Sequence, residues 1–562
     1  MRTFMDTNAL RSTLSRPGAL AIILVLLVAA LYLPWLGYND LMHEETRRAV
    51  VARTMMQSGD YLVPMLGERV YLNKPPLFNW VIVAMSLPVG TVTEWTARLP
   101  TVISLALLAV TMVLTAGRHL GAPARWLLGI GTIVIAEVWQ KGILGNVDVA
   151  FTMLVSASLW VWYALDEREY RGLSLWLPPA VLVGAAFLLK REPGPVFYYL
   201  GVGAFLLSQH RFRELFRPPH LIAAAVTAGI VALWVIPVIN RAGLDALLAN
   251  VHEEVLSRGI SPNPSDYVEH FLTYPIEILI AALPASILLP LLAWPRVWRA
   301  VRRRHARLFV FAVLVTLVNL PIYWLRADVG VRYFLPMMPT MVALAAMVLD
   351  TLVAEGKSWP RGARHTLYLL AVLLAVLAAG FGGAMIVLSL SDAFPDVAGP
   401  IMPWPLMAAL GVATLAAIGY PLVRYRRDLA VVAFVAIVGF GVAVRLTMIG
   451  FHTAYEAERI VAENDDVPAI LERIRAELPL EVDQVQAIGR MHHAFWFYDR
   501  ENLIVPVARL ERSGEFASPY ALIWTEPGPD EPWNSLAMQT ITRIPYEDGE
   551  LLLMRLEDPS VR

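Results

Sequence analysis

Thirteen apolar stretches run along the first 450 residues, at 18–36, 98–116, 124–140, 147–165, 173–190, 193–209, 220–240, 272–294, 308–325, 333–354, 366–389, 402–423 and 428–449. Each approaches the roughly 17 to 25 residues that cross a hydrocarbon core about 30 Å thick. Short turns separate most of them. The first exception is the loop of residues 37–97. Its segment 43–58 (HEETRRAVVARTMMQS) places Ala49, Val50, Val51, Met55 and Met56 at helical spacing with charges opposite, which predicts an amphipathic helix at the membrane surface. Ser58-Gly59-Asp60 ends it, a tight Gly67-Glu68 turn predicts a small hairpin, and Lys74-Pro75-Pro76 opens a second helix reaching about residue 89.

The second exception is the loop 241–271, with His252-Glu253-Glu254 and the breaker Ser261-Pro262-Asn263-Pro264-Ser265. From about residue 450 the pattern turns soluble: a charged amphipathic helix at 455–478 and strand-length runs at 483–488, 503–508, 520–525 and 550–555. The expected fold is an α-helical integral membrane protein of about thirteen spans, residues 1–450, followed by a small α/β domain, residues 451–562.

Composition agrees. The chain is 57% hydrophobic and 17% charged, against about 25% charged in soluble proteins. Its net charge of −1 marks no basic groove for nucleic acid. The placement of arginine says more. With the amino terminus cytoplasmic, the inside segments carry Arg2, Arg11 and Arg16, later a cluster of Arg296, Arg299, Arg302, Arg303, Arg304 and Arg307, and then Arg424, Arg426 and Arg427, while the short outside loops carry Lys141, Lys190, Arg191, Arg326 and Arg332. This alternation follows the positive-inside rule and puts the first loop and the carboxyl-terminal domain outside. The first apolar segment lacks a small-residue cleavage site and is expected to stay as a helix. There is no cysteine, hence no disulfide and no thiolate ligand or nucleophile.

Chemistry-bearing residues gather near the outer ends of the spans. The first loop carries His43-Glu44-Glu45-Thr46-Arg47-Arg48 and Tyr71-Leu72-Asn73-Lys74-Pro75-Pro76; a solvated loop kept out of lipid is the plain alternative. Asp148 follows Asn146 at the start of the fourth span, where a helix cap is the structural reading. Lys190-Arg191-Glu192-Pro193-Gly194-Pro195 sets two cations in an outside turn, against the general trend, which points to an anion nearby. Arg332-Tyr333 opens the tenth span, where a guanidinium and a phenol can clamp a phosphate or anchor an interface. His270 reads as an interfacial anchor. HExxH, P-loop and GxSxG patterns are absent, which removes the usual support for metalloprotease, ATP-driven and serine-hydrolase chemistry.

The order of these pieces, Glu44-Glu45-Thr46-Arg47, Ser58-Gly59-Asp60-Tyr61-Leu62-Val63-Pro64, Tyr71-x-x-Lys74-Pro75-Pro76, Asp148, Lys190 and Arg332-Tyr333-x-Leu335-Pro336, resembles the polyprenyl-phosphate-dependent GT-C glycosyltransferases. The nearest branch is similar to the aminoarabinose transferases that modify lipid A, in the wider group related to protein O-mannosyltransferases. The resemblance covers about residues 18–450. It implies that Glu44 stands for the family's catalytic Asp, and that Arg47, Tyr71, Lys74, Lys190, Arg332 and Tyr333 surround the donor phosphate, with Asp148 a further acid. Glu44 in place of Asp, and Asn73 where the family has Glu, are departures that bear on the sugar and acceptor.

A multi-pass protein of the bacterial inner membrane is therefore expected, with a periplasmic site and a sugar carried on polyprenyl (undecaprenyl) phosphate. The sugar would pass with inversion to an envelope lipid such as lipid A, or to a protein. Cations placed where the leaving phosphate gathers charge would lower the barrier. Glu44 and Asp148, with His43 nearby, are candidate ligands for a divalent cation, which carboxylates by themselves do not establish. The competing class is a transporter or flippase of lipid-linked sugars, whose sites ordinarily lie near the midplane.

Overall fold

The structure, a computed structural model, describes residues 16–556 apart from 38–39, 42–43, 67–68, 253–262, 328, 391–403, 426, 463–466, 489–492, 500–502, 507–517, 526–537 and 547–548. Helix α1 (Pro17–Tyr32) opens with a proline, whose missing N–H has no intrahelical partner to lose at that position. Helix α2 (Glu44–Ser58) buries the apolar stripe Ala49, Val50, Val51 and Met55. It also buries Glu45, Thr46 and Arg48. The helix is thus wedged into the protein with charge on its inner side, where the spacing suggests a helix lying flat with its charges outward. Strands β1 (Met65–Leu66) and β2 (Arg69–Val70) pair antiparallel, Met65 opposite Val70, as the hairpin pattern suggests. Helix α3 (Leu77–Ser86) follows the Pro75-Pro76 corner, and α4 (Glu94–Leu114) starts from a Thr93–Thr96 capping box.

The third apolar stretch is not one helix. It breaks into α5 (Ala122–Ile133) and α6 (Ala136–Lys141), because the Ala136 N–H turns away to donate to the Leu283 carbonyl at 2.8 Å. Helices α7 (Val147–Glu167), α8 (Leu173–Lys190), α9 (Pro193–Ser208) and α10 (Pro218–Ala242) match their expected spans. They are followed by α11 (Leu244–Val251) and α12 (Pro264–Ala281). The stretch expected at 272–294 is also broken: α12 stops before Pro284, and Ala285–Ala293 continues as 3-10 helix around Pro290, each proline lacking the N–H an α-helix needs. Helix α13 (Pro295–Asn319) begins earlier than its apolar run, since the arginine cluster occupies its first turns while Val297, Ala300 and Val301 face inward. After α14 (Pro321–Trp324), a 3-10 turn Val331–Met337 leads into α15 (Met338–Glu355), then α16 (Arg361–Leu390), α17 (Trp404–Arg424) and α18 (Leu429–Ala462).

Among the described residues nine helical stretches are long and apolar enough to cross a membrane, and three shorter apolar helices, Leu77–Ser86, Pro193–Ser208 and Ala408–Arg424, accompany them. The chain is a multi-pass α-helical membrane protein. Inside it lies a cation that the hydropathy pattern conceals: the fully buried Arg445 of α18 donates to the Trp139 carbonyl at 2.8 Å and stacks 4.3 Å over the Tyr32 ring, joining α18 to α6 and α1.

Of the helix expected at 455–478, the described residues are helical to Ala462, within α18, and again in α19 (Val467–Glu477), with 463–466 outside the described residues. Beyond it stand β3 (Val485–Ile488), α20 (His493–Tyr498), β4 (Ile504–Pro506), β5 (Tyr520–Thr525), β6 (Met538–Tyr546) and β7 (Gly549–Leu556). They form a sheet of order β4-β3-β5-β7-β6, parallel across β4, β3 and β5 and antiparallel from β5 to β6. Neither β6 nor α20 stands out in the sequence pattern. Helix α20 docks on α2: Arg53 donates to the Phe497 carbonyl at 2.7 Å and to that of Trp496, and the Leu41 N–H donates to the Tyr498 hydroxyl at 2.7 Å. Burial and the Asp40 charge push the Tyr498 phenol up, so it stays neutral and remains a hydroxyl.

One buried ion pair ties the first loop to the bundle. Glu45 meets Arg98 of α4 at 2.9 Å, and Arg98 also donates to the carbonyls of Leu36 and Asp40, each at 2.8 Å. The Gly145 N–H donates to the same carboxylate, with the Gly145 backbone pressed against Ala97. A Cβ at Gly145 would lie 2.9 Å from the Ala97 carbonyl oxygen. Gly145→Ala is expected to lower stability by about 1–3 kcal/mol, the usual scale of overpacking, seen as a lower melting temperature in detergent; a wild-type melt would mean that the turn yields.

Candidate active site

The outward side of α2 carries Glu44, whose carboxylate accepts from Arg47 at 2.8 Å and Arg48 at 3.4 Å. Its side chain is 49% exposed, whereas that of Glu45, one residue on, is 3% exposed and committed to Arg98. A step of about 100° around the helix separates the two. Arg48 is buried and lies 5.4 Å over the ring of Tyr71, so Tyr71 reaches the cluster through a neighbour that the sequence reading passes over. The Tyr71 hydroxyl is buried with no hydrogen-bond partner among the described residues.

The second half of the site stands on α7, α8 and the 3-10 turn before α15. Asn146 caps α7, its side-chain oxygen accepting from the Asp148 N–H at 3.0 Å. The Asp148 carboxylate is thereby free of the capping role and takes the Lys190 ammonium at 2.5 Å, with Lys141 at 3.9 Å. Lys190 also lies 4.8 Å over the Tyr333 ring, and Arg332 lies 5.2 Å over the same ring. Arg332 is within electrostatic reach of both Asp148 and Glu44, which joins the two halves. Five of the sequence candidates, Glu44, Asp148, Lys190, Arg332 and Tyr333, therefore share one end of the helices, with Arg47 attached through Glu44.

Lys74 is half-buried in the bend that follows β2, and its segment is held from the neighbouring position. Asn73 accepts from Asn250 at 3.0 Å, and Asn250 accepts from Arg191 at 2.8 Å, the residue after Lys190. The residue that departs from the family pattern is thus a link between the first loop and the Lys190 turn. Glu137 and Lys141, paired at 3.4 Å on α6, are further members that the sequence reading does not single out. Their i, i+4 spacing is the signal that reveals them. His270 meets the Tyr323 carbonyl at 3.1 Å and stacks on Tyr274, an anchoring arrangement.

Asp148 is shared between two ammonium groups, and among the described residues no three His, Asp or Glu side chains gather; His43, Glu253 and Glu254 lie outside the described residues. What the arrangement offers is a set of fixed cations and a phenol gathered at one end of the helices, with one exposed carboxylate at its edge. That set suits an anionic group bearing phosphate.

A sequence model of the dolichyl-phosphate-mannose-protein mannosyltransferases matches residues 73–239, which include Lys74, Asp148 and Lys190. The undecaprenyl phosphate-alpha-4-amino-4-deoxy-L-arabinose arabinosyl transferase 2 of Pseudomonas fluorescens Pf-5 is 27% identical over 355 residues, 62% of this chain and 59% of that protein. The corresponding transferase of Pseudomonas aeruginosa UCBPP-PA14 is 28% identical over 344 residues, 60% of this chain and 61% of that protein. The chain thus spans less than two thirds of these relatives. The crystal structure of ArnT from Cupriavidus metallidurans bound to undecaprenyl phosphate superimposes with a TM-score of 0.66 at 19% identity, over 97% of this chain and 99% of that one. The chain shares the fold of that ArnT over nearly its whole length. In this fold the charged end described above is built from the first loop and the ends of α7, α8 and α15, elements far apart in sequence.

The Asp148–Lys190 pair is open to a double-mutant cycle. Lys190→Met is expected to cost about 3–5 kcal/mol by leaving a buried carboxylate without its nearest cation, while Asp148→Asn/Lys190→Met recovers most of that loss in thermal melts. Independent, additive losses would show that the two groups do not depend on one another.

Proposed function

We propose that the chain transfers a sugar from a polyprenyl (undecaprenyl) phosphate carrier to an envelope lipid, with inversion at the sugar carbon. The observation that carries this reading is the convergence of Lys190, Arg332 and Tyr333 with Asp148 beside the exposed Glu44–Arg47 pair, in a fold shared with a protein solved with undecaprenyl phosphate. The relatives' names, which specify transfer from undecaprenyl phosphate, favour a transferase over a transporter. A lipid acceptor is preferred to a protein one because the aminoarabinose transferases match about 60% of the chain, whereas the protein mannosyltransferase model matches a shorter part.

In the proposed reaction the acceptor oxygen attacks the anomeric carbon from the face opposite the carrier, and the bond from that carbon to the phosphate oxygen breaks. The carrier leaves as polyprenyl phosphate. Lys190, Arg332 and the Tyr333 hydroxyl meet the charge gathering on the leaving oxygens, with Lys74, Arg47 and Tyr71 completing the phosphate's surroundings. Glu44 orients the acceptor and takes the proton when the acceptor is a hydroxyl; an acceptor that is already an anionic phosphate has no proton to give. Asp148 holds the Lys190 ammonium in place.

On the same reading residues 1–450 form the membrane domain and 451–562 a periplasmic one, with the amino terminus cytoplasmic. The contact of α20 with α2 supports placing the carboxyl-terminal domain on the side of Glu44, and the arginine alternation supports calling that side the periplasm.

Glu44→Gln is expected to abolish product formation from a radiolabelled lipid-linked sugar while carrier binding persists, and Glu44→Asp to retain activity. Glu45→Gln should instead lower the melting temperature. Normal turnover by Glu44→Gln, with Glu45→Gln folded but inactive, would exchange the two roles. Topology is read separately: Leu480 is 94% exposed, and a single cysteine there should react with a membrane-impermeant maleimide while the inner membrane is intact. Labelling that requires opening the inner membrane would reverse the orientation.

A further inference from the structure

The opposite ends of the same helices carry a second, unrelated concentration of charge. Helix α15 has 18 residues, about 27 Å at 1.5 Å per residue, so its Glu355 end stands roughly a bilayer core away from Arg332 and Tyr333. There a cavity of about 830 Å³ is lined by Arg296, Arg299, Arg302, Arg303 and Arg307 of α13 and by Trp359. Positions 296, 299, 303 and 307 recur at three- and four-residue steps, which puts them on one face of the helix. A topological preference for arginine on the inner side accounts for basic residues at this end. It does not account for their lining one concavity.

The cavity's own acids leave a surplus of positive charge. Its one lining carboxylate, Glu355, stands 3.9 Å from Arg303 with both side chains exposed, where screening leaves little attraction. Arg307 is held by the buried Asp166. Arg296, Arg299 and Arg302 have no carboxylate partner among the described residues. Trp359 is only 5% exposed, and its indole N–H is buried without an acceptor among the described residues; the Arg307 Nε is left in the same state. Buried donors of this kind ordinarily have partners. The exposed guanidinium forks of Arg299, Arg302 and Arg303 match the geometry of a phosphate.

Gln209 and Val310 are at the cavity's wall, and next to Gln209 in the chain Leu207, Phe212 and Phe216 are 63%, 40% and 68% exposed. We propose that this cavity binds the phosphate-bearing headgroup of an anionic phospholipid from the leaflet opposite the candidate active site, with its acyl chains along those side chains. Basic pockets between membrane helices are suited to such headgroups.

The test is native mass spectrometry of the full-length protein, delipidated in detergent and titrated with phosphatidylglycerol or phosphatidylcholine of the same acyl chains. The wild type is expected to take up phosphatidylglycerol at least about tenfold more tightly. Arg299→Gln/Arg302→Gln/Arg303→Gln, three exposed side chains, should lose that preference while its melting temperature without added lipid stays at the wild-type value. Equal uptake of the two lipids by the wild type, or a preference retained in the triple variant, would overturn the proposal. A competition arm separates the sources of phosphate: millimolar inorganic pyrophosphate should leave the bound phosphatidylglycerol in place, and displacement would assign the cavity to a soluble anion instead.

Discussion

The Glu45–Arg98 pair sets the geometry on which the charged end of the protein depends. Two side chains, 3% and 5% exposed and 2.9 Å apart, are taken out of water together, and such a pair holds only when its remaining donors and acceptors are satisfied. Here they are: Arg98 donates to two loop carbonyls as well, and the Gly145 N–H meets the same carboxylate. The pair thereby joins the start of α2, the loop before it, α4 and the turn that leads into Asp148. With Glu45 held inward, the helical rotation leaves Glu44 outward beside Arg47. The orientation of the exposed acid is a consequence of the buried one.

The charges at the two ends of the bundle are arranged on different terms. At the end with Glu44, acids and bases are interleaved: Asp148 between Lys190 and Lys141, Lys141 beside Glu137, and Glu44 beside Arg47. These groups hold one another at fixed positions, so the cations stand in place without further reorganisation. At the other end Asp166 and Asp350 sit buried, Asp166 beside Arg211 and Arg307, Asp350 beside Arg304 and the ring of His305. The first turns of α13 still carry arginines beyond those pairs. At one end the acids are interleaved among the cations, and at the other the surplus arginines stand outside the buried pairs.

The carboxyl-terminal sheet reaches the membrane part through α20. The contacts of Arg53 and Leu41 with residues 496–498 bring the domain onto the same helix and loop that carry the exposed acid. Burial keeps Tyr498 protonated, so the Leu41 N–H meets a neutral hydroxyl rather than a phenolate.

Local pattern determined a good deal by itself. Apolar runs of membrane length marked α1, α4, α7, α8 and α10, because a backbone in lipid must satisfy its own hydrogen bonds as helix, and the 65–70 hairpin and four of the five sheet strands followed from alternation and turn residues. The candidates Glu44, Arg47, Asp148, Lys190, Arg332 and Tyr333 were legible as charges or phenols at the edges of apolar runs. Tertiary structure decided what periodicity does not encode. The stretches 124–140 and 272–294 are broken where Ala136 bonds Leu283 across the bundle and where prolines withdraw donors. Arg445 and Arg98 are buried by distant partners that hydropathy averages away. The links through Arg48, Asn250 and Arg191 join residues 23, 59 and 177 positions apart. Helix formation and membrane insertion respond to neighbours in sequence, whereas the pairing of charges is set by which helix ends the packed bundle brings together.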